Sequence, residues 1–118
     1  MIDNLFFSFL DERKSIVLSD IKSLAQEGRI DESNVLKAKF NVYDICKAVY
    51  HATASQSKDA IGTAFPATFD KITSPWKASL EQARLHNDAR RILIEEAKLD
   101  AVSEINSKFA EMVQNKEV

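Results

Sequence analysis

Apolar positions along this chain recur at steps of three and four, so the pattern predicts helices and no strands. The spacing predicts a first helix over 3–27. Ile2, Phe6, Phe9, Leu10, Val17, Ile21 and Leu24 mark one side of it, Arg13 interrupts that stripe in mid-helix, and Gly28 supplies a left-handed stop. Phe6, Phe7 and Phe9 cannot all face one side of a helix, so this end meets two neighbours or stays open to a partner. The short turn Glu27-Gly28-Arg29-Ile30 makes the next helix an antiparallel or steeply crossed neighbour, with Asp31 as its cap and a span of 31–54. Val35, Ala38, Val42, Ile45, Val49 and Ala52 form an unbroken seam on it, widened by Leu36, Phe40, Tyr43 and Tyr50. That seam is expected at the centre of the core.

Between 55 and 73 the residues shift to Ser, Thr, Ala, Gly and Pro, which reads as a long connection with Gly62 and Pro66 as breakers. It is not plain linker, because Ile61, Phe65, Phe69, Ile72 and Trp76 recur at four, four, three and four. Pro66 allows a short helix over 66–72. The structural expectation is a flap over the open end of the core. The functional one is a partner-binding surface made by those five residues, taking a peptide or a small apolar ligand.

Ser74 can cap a helix and Pro75 suits its first position; from there to Val113 there is neither Gly nor Pro, which predicts one long last helix over 75–113. Lys77, Glu81, Arg84, Asp88, Arg91, Glu95 and Lys98 place seven charges of alternating sign on one stripe, expected as a solvated ridge, with apolar residues on both sides of it. One apolar flank runs from Trp76 and Leu80 through Ile94 to Ala101, interrupted by Asn87 and Arg90, then slips by one to Val102, Ile105, Phe109 and Met112. At ~1.5 Å per residue such a helix is roughly 58 Å long, whereas a compact chain of this length is roughly 35 Å across. The pattern therefore predicts a two-fold homodimer through Ile94, Ala101, Val102, Ile105, Phe109 and Met112. The expected fold is all-α: a single domain, a three-helix antiparallel bundle with a short extra helix in the 55–73 connection, completed by dimerisation. No internal repeat is apparent.

Composition narrows the function. With 45% hydrophobic and 29% charged residues the chain is expected to fold rather than stay disordered. The single cysteine, Cys46, excludes an internal disulfide and reads as a small buried hydrophobe in a reducing compartment. Asp3 stands where an export signal needs positive charge, and no run of about 20 apolar residues follows, so a cytoplasmic protein with no membrane contact is expected. A formal net charge of −2 offers no broad field for phosphates. The competing motif is a helix-turn-helix over residues 20–40, but its recognition helix would open with Asp31 and Glu32, which Lys37 and Lys39 do not offset.

Neither histidine has a metal-ligand pattern. His86 has Gln82 and Arg90 four residues away, His51 has Lys47 and Ser55, and the adjacent Glu95 and Glu96 point apart. With only Gly28 and Gly62 there is no phosphate cradle, and no serine is marked as a nucleophile. The expectation is a non-enzymatic chain without metal or cofactor, a protein–protein interaction module such as a small adaptor, inhibitor or regulatory subunit, acting as a helical homodimer. The alternatives are a DNA-binding regulator using residues 20–40, and a binder of a small apolar ligand under the 61–76 flap.

Overall fold

A computed structural model describes residues 2–116, which form four helices: α1 (Ile2–Gln26), α2 (Ile30–Gln56), α3 (Ile61–Leu85) and α4 (Ala89–Lys116), with a 3₁₀ turn at Lys58–Ala60 between α2 and α3. Among the described residues there is no strand. The all-α expectation holds, but two helix assignments do not. The short helix over 66–72 and the start of the supposed helix over 75–113 are parts of one 25-residue helix that runs through both Pro66 and Pro75. A proline inside a helix removes one hydrogen bond and costs ~3 kcal/mol or more. Here the opposing gain is an apolar face of Ile61, Phe65, Phe69, Leu80 and Ala83, all buried, and each Phe alone contributes ~1.5–3 kcal/mol.

The long last helix is broken at His86–Asp88, and α4 turns back along α3. Asn87 takes φ +52°, its amide donates to the Arg84 carbonyl (3.2 Å), and the amide of Asp88 donates to Ala83 (2.9 Å). The same bonds close α1: Gly28 at φ +79° donates to Ala25 (3.1 Å) and Arg29 to Leu24 (2.9 Å). Both ends are Schellman turns, which need a residue that tolerates the left-handed region, and after Gly that residue is Asn. Asp88 then caps α4, its carboxylate accepting the Arg91 amide at 3.2 Å. With the turn in place no helix protrudes. A 28-residue helix is ~42 Å long, within the 45 Å long axis of the molecule.

The two hairpins repeat each other, which the sequence did not announce. Both first helices have 25 residues, and Asp31 and Arg90, 59 positions apart, pair across the bundle. That same offset relates Phe6 to Phe65 and Tyr50 to Phe109, and these four rings form one cluster. The centroids of Phe6 and Tyr50 are 5.1 Å apart and those of Phe65 and Phe109 4.8 Å; the crossed pairs, Phe6 with Phe109 and Tyr50 with Phe65, are 5.2 and 5.4 Å apart. Exchanging the hairpins leaves the cluster nearly unchanged, so an approximate two-fold axis runs along the bundle, with α2 and α4 parallel on either side of it. The symmetry is imperfect where the 57–60 connection draws α2 against α3 more closely than α4 meets α1.

The core lies on this axis. On α2 the fully buried positions are Ser33, Val42, Tyr43, Cys46 and Tyr50. The expected seam is therefore rotated: Val35, Ala38, Ile45 and Val49 are half-buried and Ala52 is exposed. On α4 the buried apolar residues are Ala101, Val102, Ile105 and Phe109, and Glu95, expected on a solvated charged stripe, is buried with them because that side of α4 turns inward.

Candidate functional site

Gly62, Pro66 and Asp70 follow each other at steps of four, so they share one side of α3, with Ala67 beside them. Across from them stand Asn106, Ala110, Val113 and Gln114 of α4, and between the two helices lies an open groove of about 640 Å³ with Phe109 at its floor. Small side chains make the hollow. A methyl group added at Gly62 would touch only Val113, at 3.5 Å. Pro66 has no N–H, so the carbonyl of Gly62 lacks its usual donor four residues on. Asp70 is exposed and, among the described residues, takes part in no salt bridge. The groove thus offers apolar walls, one carboxylate and the amides of Asn106 and Gln114.

The five residues expected to bind a partner belong to this same helix but mostly to its other side. Ile61, Phe65 and Phe69 are buried in the core, Phe65 and Phe69 being stacked 5.3 Å apart, so the segment is no open flap in this structure. Ile72 points to solvent because the buried stripe passes through Thr73 instead, and Trp76 is half-buried beneath the Lys98 ammonium, 4.3 Å from its ring centre. The sequence pattern singles out the side of α3 that faces the core, and the groove lies on the other side. The signal was the coincidence of Gly62, Pro66 and Ala67 with Ala110, visible only once the two helices are laid together.

Of the residues expected at a dimer interface, Ala101, Val102, Ile105 and Phe109 are buried in the chain's own core, while Ile94 and Met112 are half-buried, Met112 against that core. The other hairpin covers the buried ones within the chain. Residues 20–40 form the end of α1, a turn and the start of α2. Salt bridges from Lys47 to Asp11 and from Lys14 to Asp44 hold α1 and α2 side by side along their length, not in the steep crossing of a helix-turn-helix.

Two smaller hollows lie elsewhere on the surface. One of about 370 Å³ lies by Lys77, Leu99 and Ser103, and one of about 210 Å³ by Val35, Leu93 and the Asp31–Arg90 pair. Among the described residues no group of three or more His, Cys, Asp or Glu side chains could hold a metal ion. Cys46 is fully buried, and burial pushes its thiol up to about 12, which suits the small-hydrophobe reading. No helix of the described residues is long and apolar enough to cross a membrane. No protein-family model, curated protein or solved structure matches this chain.

Proposed function

We propose that this chain is a non-enzymatic binding module that holds a segment of another protein in the groove between α3 and α4. The observation that carries this reading is the groove itself: about 640 Å³, floored by an aromatic ring and edged by the polar side chains of Asp70, Asn106 and Gln114. It spans Gly62 to Asp70, about two helical turns or ~12 Å, which is the footprint of a short helix laid along two others. The volume also falls in the ~300–1,000 Å³ range of small-ligand sites, so a small apolar ligand is the second reading. The homodimer is no part of this proposal. Its motive was a helix too long for the molecule, and a second copy would have to use exposed apolar positions such as Leu85 and Leu93.

Ala110→Trp, at an exposed position, should block the groove without touching the core. The test compares proteins retained from a host lysate by the native chain and by this variant, both checked for helix content. Proteins held by the native chain and released by the variant support the reading. An identical set on both sinks it.

A further inference from the structure

We propose that the groove between α3 and α4 takes an aromatic side chain together with a cationic one, both presented by a helical segment of another protein. This deepens the binding reading above and rests on it. The chemistry of the occupant is written on the other hairpin, where the two-fold-related place is already filled. Pro66 stands where Phe7 does, Ala110 where His51 does, and Asn106 where Lys47 does. On the first hairpin Phe7 stacks on the His51 ring with centroids 4.6 Å apart. The Lys47 ammonium lies 5.6 Å from the centre of Phe7 and pairs with Asp11 at 3.3 Å. On the second hairpin all three filling side chains are replaced by smaller ones and the groove is open, yet the carboxylate remains, because Asp70 occupies the position of Asp11.

The polar pair below the ring has gone as well, and has gone together. Tyr50 donates its hydroxyl to Asp3 on the first hairpin, while Phe109 and Gly62 at the matching positions carry neither group. What stays behind is an open groove floored by Phe109 and a carboxylate whose counterpart, Asp11, is neutralised by a lysine. An aromatic group with a nearby ammonium or guanidinium supplies what is missing, with cation–π contact as on the first hairpin. On a partner helix the two side chains belong one turn apart, ~6 Å along the axis, which matches the step from Pro66 to Asp70.

The probe is a capped alanine-based helical peptide carrying one Phe and, four residues later, one Lys, titrated into the isotope-labelled full chain and followed by amide chemical shifts. The expected result is saturable shifts confined to residues 62–70 and 106–114, weakened about ten-fold or more when the peptide's Lys is replaced by Glu or its Phe by Ala. The variant Pro66→Phe/Asn106→Lys/Ala110→His rebuilds the first hairpin's filling and should abolish binding while leaving the thermal midpoint equal or higher. No shift at about 1 mM peptide, or equal binding by native chain and folded variant, overturns the proposal. Should the triple variant lose its helix content, Asp70→Asn at an exposed position decides. It should weaken the Lys peptide several-fold, and unchanged affinity overturns the cationic requirement. Equal binding of the Lys and Glu peptides in the groove would remove the aromatic-plus-cation specificity while leaving the binding reading standing; a groove that holds neither peptide nor host protein removes both.

Discussion

The Tyr43 hydroxyl donates to Oε1 of Glu104 at 2.8 Å, and the same oxygen accepts Nε of Arg13 at 3.0 Å. One carboxylate on α4 thereby ties α1 to α2 in the middle of the bundle, and explains why an arginine interrupts the apolar stripe of α1. A hydrogen bond to a charged group contributes ~1.5–3 kcal/mol, and Glu104 is 35% exposed, which pulls the figure down. Tyr43→Phe should cost ~1–2 kcal/mol in urea unfolding and Arg13→Ala less. The two are coupled through Glu104, so in a double-mutant cycle they should depart from additivity by ~0.5 kcal/mol or more. Strict additivity would mean that the shared oxygen does nothing.

Alkali should unfold this protein before acid effects on these groups matter. Burial first, and then the bond to Glu104, pushes the Tyr43 hydroxyl up to about 12, and burial does the same for the Cys46 thiol. Tyr50 is raised too, by burial and by its bond to Asp3. Each group holds its proton more tightly in the fold than in the open chain. Its stabilisation is complete below the unfolded values of 9.0 and 10.0 and is lost as pH rises towards 12. Chemical unfolding followed from neutral pH upward should show a plateau and then a decline in that window, with tyrosinate absorbance rising at the same pH as helix is lost. Tyrosinate formation at the ordinary value, with helix intact, would contradict the burial of both rings.

Glu95 is the weak point of α4. It is only 5% exposed; Lys98 pairs with its Oε1 at 2.9 Å, and Oε2 has no partner among the described residues. The matching residue of the first hairpin is Leu36. Replacing a buried charge by an apolar residue of similar size is often neutral or stabilising by ~1–4 kcal/mol, whereas removing its partner alone leaves the charge unpaired. Glu95→Leu should hold or raise the unfolding midpoint, and Lys98→Met should lower it. The reverse order would point to a role for the Glu95 carboxylate beyond packing.

Much of the fold was legible because burial repeats at helical spacing. The stop at Gly28, the buried state of Cys46 and the importance of Phe65 and Phe69 all follow from that. Four features were hidden for physical reasons. Pro66 and Pro75 read as boundaries because local propensity cannot register the aromatic burial that outweighs it. Asn87 read as an interruption of a stripe when it is a left-handed turn residue followed by the cap Asp88. The two-fold repeat lies in which positions are buried, as at Phe6 and Phe65 or Cys46 and Ile105, and seldom in which residue occupies them. The groove was hidden because it consists of what small side chains leave out.

The residues once expected to join two chains now give a different outcome on substitution. Ile105 is fully buried and Phe109 is 2% exposed, Phe109 being within 5.2 Å of Phe6 by ring centres. An aspartate at either position is a charge without a partner inside the core. Ile105→Asp should therefore abolish the cooperative unfolding transition and most of the helix signal. A folded monomer produced from a dimer by this change would restore the interface that these residues were first assigned to.

The matching turns give a sharper test of how the hairpins are specified. Gly28 and Asn87 both stand in the left-handed region, where a side chain with Cβ costs ~1–2 kcal/mol unless it is Asn or Asp. Around Gly28 there is nothing within 4 Å of an added Cβ, so the cost of Gly28→Ala is a backbone cost alone, expected at ~1–2 kcal/mol. Gly28→Asn, which installs the residue the second turn uses, should recover most of it, and Asn87→Gly should change stability by no more than ~0.5 kcal/mol. Asn87→Ala should cost ~1 kcal/mol or more, and Asp88→Ala a further ~1 kcal/mol through loss of the cap on the Arg91 amide. All five are read from urea midpoints at constant slope. If Asn87→Ala proved neutral while Gly28→Ala was costly, the break between α3 and α4 would owe nothing to Asn87. The packing of Ala101, Ile105 and Phe109 against the first hairpin would then be what turns the chain back.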